Sequence, residues 1–334
     1  MKSLLILALE TSCDETAVAI LRGPELLASE IASQTALHQE YGGVVPEVAS
    51  RNHLVQAPRL LETAVRRADI SLSEVDVFAA TAGPGLATSL MIGASMAKGL
   101  ALGFGKPYLA INHLEGHLLS PFFGDDGEVL PNVSLVVSGG HTLLVEVRGV
   151  NDYRVLGRTV DDAAGEAFDK VAKLLGLRYP GGPEVERRAS AGDARRFDLP
   201  RSMIGSGDHN FSFSGLKTAV RYLIAKVSLD EQTVDDICAS FQAAAVEILV
   251  RKTVAAAHAC GRSLVTVSGG VSCNGELRDQ MRVGCERAGL RLQAVPPALS
   301  TDNAVMIAFA AALRFEAGFV SEVSEEIDPN LRLV

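Results

Sequence analysis

LLILALETSCDETAVAIL, residues 4–21, decides the fold. Two short aliphatic runs, Leu4–Leu9 and Ala17–Leu21, flank the polar segment ETSCDET. Apolar runs of this length around a polar break read as strand, turn, strand. The layout returns roughly 130 residues later in VSLVVSGGHTLLVEV, residues 133–147. A third echo, LVTVSGGVSCNGEL at 264–277, carries a strand through SGG into a helix. Repetition of one supersecondary unit predicts two related α/β lobes. Helical patterns are predicted over 47–68, 88–102, 113–120, 163–175, 214–226, 234–259, 274–288 and 302–317, with Pro58 expected to kink or interrupt the first. FFGDDGEVL, residues 122–130, is the predicted lobe boundary.

The composition narrows the class. A chain of 334 residues suits two domains. With 48% hydrophobic and 21% charged residues it can bury large cores and is not a disordered protein. Aromatics at 5% and no Trp argue against an aromatic-rich all-β module. A net charge of −9 excludes a generic nucleic-acid coat, so RNA binding requires a local basic patch or a partner. The five cysteines are odd in number and none are paired as C-x-x-C, which points to a reducing cytoplasm. MKSLLILAL is too short for a signal peptide, and no uninterrupted apolar run approaches a membrane span of about 20 residues, so no membrane is expected.

Four constellations bear on chemistry. In HLEGH, His113 and His117 share a helix face and suit a metal, with Asp302 as a third ligand. On spacing alone two ordinary histidines fit as well, and Asp302 equally suits a helix N-terminus. Glu115 sits midway, where an H-E-x-x-H metalloprotease would not place its base. The turns Ser138-Gly139-Gly140 and Ser268-Gly269-Gly270 can form anion nests or plain tight turns. Glu10, Asp14 and Glu15 lie around the first hairpin turn, where they can hold a cation or simply face solvent. From Arg178 to Lys226 nine cations face five anions, either a polyanion landing site or a solvated face.

The strings ETSCDET, YGGVVPEVASRNHL, AGPGLATSLMIGASMAKGLAL, NHLEGH, VSGGHT, DDAAGEAFDKVAKLLGLRYPGGP, FSFSGLKTAV, SGGVSCNGELR and STDNAVMIA stand in order from residue 10 to 308. Together they resemble the tRNA adenosine threonylcarbamoyltransferase family. The resemblance implies a duplicated two-lobe α/β fold of the actin, sugar-kinase and Hsp70-ATPase type. It implies an N-terminal lobe over 1–122, with a C-terminal helix 303–334 packing back on it, and a C-terminal lobe over 131–302 with a basic insert near 178–226. The implied reaction moves threonylcarbamoyl from threonylcarbamoyl-adenylate to N6 of the adenosine 3′ of the anticodon, in tRNAs reading codons that begin with A. The implied metal ligands are His113, His117 and Asp302, for one divalent ion, ferrous iron or alternatively zinc. The implied substrate contacts are Val136, Val137, Ser138, Gly139, Gly140, Asp169, Gly182, Glu186 and Asn274. Asp14 or Glu15 is a candidate for organising entry of the adenine. The implied partners are tRNA, a smaller paralogue of the same fold and a P-loop ATPase, with a homodimer possible. The alternatives within the fold are an ATPase or kinase and a non-catalytic scaffold paralogue.

Overall fold

The stretch 4–21 forms a hairpin: β1 (Leu5–Glu10) pairs antiparallel with β2 (Glu15–Arg22), with Glu10 opposite Ala17. The computed structural model describes residues 3–124 and 127–334. They fall into two compact units, Met1–Val129 with Asp302–Val334, and Leu130–Thr301. Asp125 and Asp126 of the predicted boundary loop lie outside the described residues.

In the first unit β3 (Glu25–Ser33) extends the hairpin antiparallel to β2. The chain then runs through α1 (Thr35–His38) and α2 (Pro46–Ala68) to β4 (Val77–Gly83), parallel to β1. Next come α3 (Ala87–Phe104), β5 (Tyr108–Asn112), parallel to β4, and α4 (His113–Leu119). The sheet order is β3-β2-β1-β4-β5. All of β1 and β4 is buried, as expected of strands covered on both faces. Pro58 does not interrupt α2, which runs unbroken over 23 residues. Pro58 forgoes only the bond to the Leu54 carbonyl, on an exposed turn, while Ala57 and Ala64 anchor both halves of the helix. By length and apolar composition α3 would suffice to cross a membrane. It packs on β4 through its buried face, which includes Leu90, Ala94, Ala97 and Ala101.

The second unit repeats the plan. β6 (Asn132–Val137), β7 (Thr142–Gly149) and β8 (Asp152–Arg158) form an antiparallel meander. Then follow α5 (Ala164–Leu174), α6 (Gly181–Ala189), α7 (Ser214–Ile224) and α8 (Glu231–Ala259). β9 (Leu264–Ser268) is parallel to β6; after α9 (Gly275–Arg287), β10 (Arg291–Ala294) is parallel to β9. The order β10-β9-β6-β7-β8 matches the first sheet strand for strand. Both SGG turns belong to this one sheet, at the ends of neighbouring parallel strands, with Val136 paired to Ser268. The first unit's counterpart of the second SGG is therefore Gly83-Pro84-Gly85, after β4.

The chain returns to the first unit through α10 (Ala304–Glu316). The expected helix 303–334 ends at Glu316; Gly318 takes a positive φ of 88°, and the remainder carries no further helix. Asp302, expected at the end of the second lobe, groups with the first unit.

Candidate functional site

The end of β5 runs directly into α4. Asn112 caps that helix, its Oδ1 accepting from the Leu114 N–H at 2.9 Å. His113 and His117 follow one turn apart, both buried. Asp302 stands just before α10, whose cap is Asn303. Its carboxylate turns to the histidines: Oδ1 lies 3.1 Å from His117 Nε2 and 3.5 Å from His113 Nε2. Gly116 makes the approach possible, because a Cβ there would meet Ile307 Cδ1 at 3.0 Å and Met306 Cγ at 3.1 Å. One donor atom from each of His113, His117 and Asp302 lies within 4.8 Å of the others. Glu115 is engaged elsewhere, its carboxylate accepting from Arg314 at 3.0 Å, so it does not serve as a protease-type base.

The surroundings fit a cation. His113 Nδ1 lies 3.1 Å from Glu10 Oε2, which leaves Nε2 facing Asp302. Glu10 is itself held by the Ser12 N–H and the Thr81 hydroxyl, each at 2.5 Å. Burial opposes charge on His113, yet Asp302 and Glu10 hold its imidazole protonated well above the usual range. Burial opposes charge on Asp302 too, and His113 and His117 hold it well below the usual carboxylate range. Two carboxylates around two imidazoles thus call for positive charge. The buried His117 Nδ1 has no hydrogen-bond partner among the described residues. Two imidazoles and a carboxylate suit zinc or ferrous iron.

Of the first hairpin's acids, Glu10 is the one in contact with His113. Asp14 and Glu15 sit half-buried in the turn and at the start of β2, and Glu15 accepts from the Ser33 hydroxyl. Burial, with Asp14 and Asp302 nearby, pushes the Glu15 carboxyl up to about 9. Glu10 had one readable signal: a carboxylate ending a wholly apolar strand needs a buried partner.

The second unit gathers the other candidates at the carboxyl ends of β6 and β9, the usual ligand edge of such sheets. Gly139 and Gly140 are exposed, with open space where a side chain would stand. The start of α5 abuts this turn, and a Cβ on Gly165 would meet the Ser138 carbonyl oxygen at 2.6 Å. Gly269, at φ 90°, seats the second SGG turn on Val137. Asp169 accepts from the Gly181 N–H at 2.7 Å, tying α5 to the start of α6. PGGP therefore opens a helix that the sequence reading missed, because two glycines and two prolines look like a turn. Gly182 faces open space. Glu186 accepts from the Gly275 N–H at 2.7 Å. Asn274 caps α9 through the Leu277 N–H and donates to Gln242 at 2.8 Å. Asp169, Glu186 and Asn274 thus have clear structural work.

The basic stretch is less available than its composition implies. Arg187, Arg188, Arg196, Arg201 and Lys217 pair with Glu184, Asp235, Asp236, Glu247 and Asp162. Arg178, Arg195, Arg221 and Lys226 are exposed and form no ion pair among the described residues.

Residues 25–309 match the TsaD family, tRNA N6-adenosine threonylcarbamoyltransferase. A protein of that name from Paracidovorax citrulli is 52% identical over 95% of this chain and 93% of its own length. Its namesake from Thermosipho africanus is 44% identical over 99% of this chain and 100% of its own. Among solved structures, HypF of T. kodakarensis aligns with a TM-score of 0.66 at 16% identity, over 95% of this chain and 48% of that one. Component A of the Acidaminococcus fermentans (R)-2-hydroxyglutaryl-CoA dehydratase aligns at 0.56 and 15% identity, over 95% and 100%. These likenesses, with the two matching sheets, establish the actin, sugar-kinase and Hsp70-ATPase type of fold. The chain belongs to the tRNA N6-adenosine threonylcarbamoyltransferase family, and it is a transferase that acts on tRNA.

Proposed function

We propose that the enzyme transfers threonylcarbamoyl from threonylcarbamoyl-adenylate to N6 of the adenosine immediately 3′ of the anticodon, in tRNAs reading codons that begin with A. A carbon–nitrogen bond forms at the carbamoyl carbon, the mixed-anhydride carbon–oxygen bond breaks, AMP leaves and the amine gives up a proton. Adenine N6 is a weak nucleophile, so orientation and stabilisation of the leaving group carry the catalysis. The observation that carries this reading is the meeting of His113 Nε2 and His117 Nε2 at Asp302 Oδ1.

His113, His117 and Asp302 would hold one divalent ion, ferrous iron or alternatively zinc. Such an ion supplies Lewis acidity toward the adenylate's oxygens. Glu10 fixes the His113 ring through Nδ1, so Nε2 is the ligand atom. Gly139 and Gly140 present backbone N–H groups toward negative charge on the departing phosphate. Val136, Val137 and Ser138 carry that turn, and Gly182 leaves room for substrate. Asp169, Glu186 and Asn274 fix the starts of α6 and α9 around it. Asp14 and Glu15 are kept for organising adenine entry.

The reading places the enzyme in the cytoplasm, beside a smaller paralogue of the same fold and a P-loop ATPase, with a homodimer in their absence. Exposed Leu54 and Val55 on α2 and Met91 on α3 support a helix-to-helix contact. The test is metal content together with transfer of threonylcarbamoyl to tRNA, in the presence of the partners. His113→Ala and His117→Ala are expected to lose both; full metal occupancy and turnover in either variant overturns the reading.

A further inference from the structure

The chain beyond α10 is a strap across the parallel end of the first sheet. The Ser321 N–H donates to the Tyr108 carbonyl at 2.9 Å, and its hydroxyl accepts from the Ala110 N–H at 3.1 Å, along β5. Val323 and Leu331 pack on the hydrophobic core of this unit. The Asp328 N–H donates to the Ala82 carbonyl at 2.9 Å, and the Gly85 N–H donates to the Pro329 carbonyl at 3.1 Å. The seat is close: a Cβ on Gly83 would stand 1.9 Å from the Asp328 carbonyl oxygen and 2.8 Å from Leu331 Cβ.

The strap ends on Asn112. That amide does two things at once: Oδ1 accepts from the Leu114 N–H at 2.9 Å, and Nδ2 donates to the Arg332 carbonyl at 3.0 Å. An amide has one acceptor end and one donor end, so the Arg332 carbonyl dictates which end faces α4. The helix it caps is one of seven residues and carries both His113 and His117. A helix so short has little stability of its own and takes its position from its contacts.

We infer that residues 319–332 are a positioning element for the two histidines, acting through the Asn112 amide. The inference rests on the metal site proposed above. Partners that orient metal ligands typically contribute about 10–100-fold in affinity. Asn112 lies one step further out, behind the helix cap, so the lower end applies.

The experiment is a zinc titration of the full chain against a chelating competitor, with thermal unfolding of the metal-free proteins in parallel. Asn112→Ser keeps a good capping oxygen but lacks the second polar atom, Nδ2, that reaches the Arg332 carbonyl. Removal of residues 332–334 deletes the Arg332 carbonyl and spares Leu331. Each change is expected to weaken zinc binding about tenfold while the metal-free proteins unfold nearly as wild type does. The combined variant is expected to be no weaker than either alone, because both cut one link. Wild-type affinity in Asn112→Ser, or additive losses in the combined variant, overturns the inference while leaving the metal site standing. Failure of the wild type to bind zinc or ferrous iron overturns the metal site and this inference with it. If the shortened chain does not fold, Asn112→Ser decides alone.

Discussion

Glu10 Oε2 lies 3.1 Å from His113 Nδ1, and both side chains are buried. The contact joins the end of the first strand to the start of α4, 103 residues later. It fixes which ring nitrogen of His113 faces Asp302. It also keeps a second negative charge beside the imidazole, raising its basicity as a ligand.

Glu10→Gln tests that contact. The amide keeps the size and one acceptor but removes the charge. Metal affinity is expected to fall about 10–100-fold, with the protein still folded. The check is competition against a chelator of known affinity, with circular dichroism as the folding control.

Gly165→Ala tests the close approach of α5 to the first SGG turn. The new methyl would stand 2.6 Å from the Ser138 carbonyl oxygen and 2.8 Å from Gly139 Cα, both backbone atoms that cannot swing away. The expected cost is about 1–3 kcal/mol in urea unfolding, together with weaker binding of the adenylate. Unchanged stability would mean that α5 slides along the turn at little cost.

Asp236 makes stability depend on acid in a defined direction. The Asp193 N–H, at 2.7 Å, outweighs burial and, with Gln232 and Arg196, holds its carboxyl below the ordinary range. A depressed carboxylate contributes stability that is present above its unfolded value and lost as pH falls through the folded one. Asp236→Asn is therefore expected to cost about 1–3 kcal/mol at pH 7. The gap to wild type should narrow as the pH drops below the ordinary value of 3.8. Urea midpoints of both proteins across that range are the measurement.

The paired and unpaired arginines should separate in RNA binding. Arg195 is exposed and forms no ion pair among the described residues. Arg196 lies 2.6 Å from the buried Asp236. Arg195→Glu and Arg178→Glu are each expected to weaken tRNA binding and flatten its salt dependence by about 0.7–0.9 of a slope unit per lost phosphate contact. Arg196→Glu is expected to lower stability instead, since it sets a second carboxylate against Asp236. Affinities at several salt concentrations, with melting temperatures alongside, tell the two effects apart.

The hairpins at 4–21 and 133–147 were legible because a buried strand needs an unbroken aliphatic run, and a turn needs polar or glycine residues. β4 and α6 were not legible. VFAATAG is a fully buried interior strand built mostly of small residues, and GGPEVERRA carries turn signals at the start of a helix. The spacing of His113 and His117 placed two imidazoles on one helix face but could not tell a ligand pair from ordinary histidines. Family motifs named Asp302. Only the fold, through the Gly116 contact with α10, brought its carboxylate within 3.1 Å of His117, 185 residues away in sequence. Net charge suggested a basic landing strip over 178–226, and side-chain pairing withdrew five of its nine cations. Local pattern thus determined the two hairpins, most of the helices and the candidate chemistry, because periodicity and motif are short-range properties of the chain. Which carboxylate meets which histidine or arginine was decided by tertiary packing, because those pairs form between residues that only the folded backbone brings together.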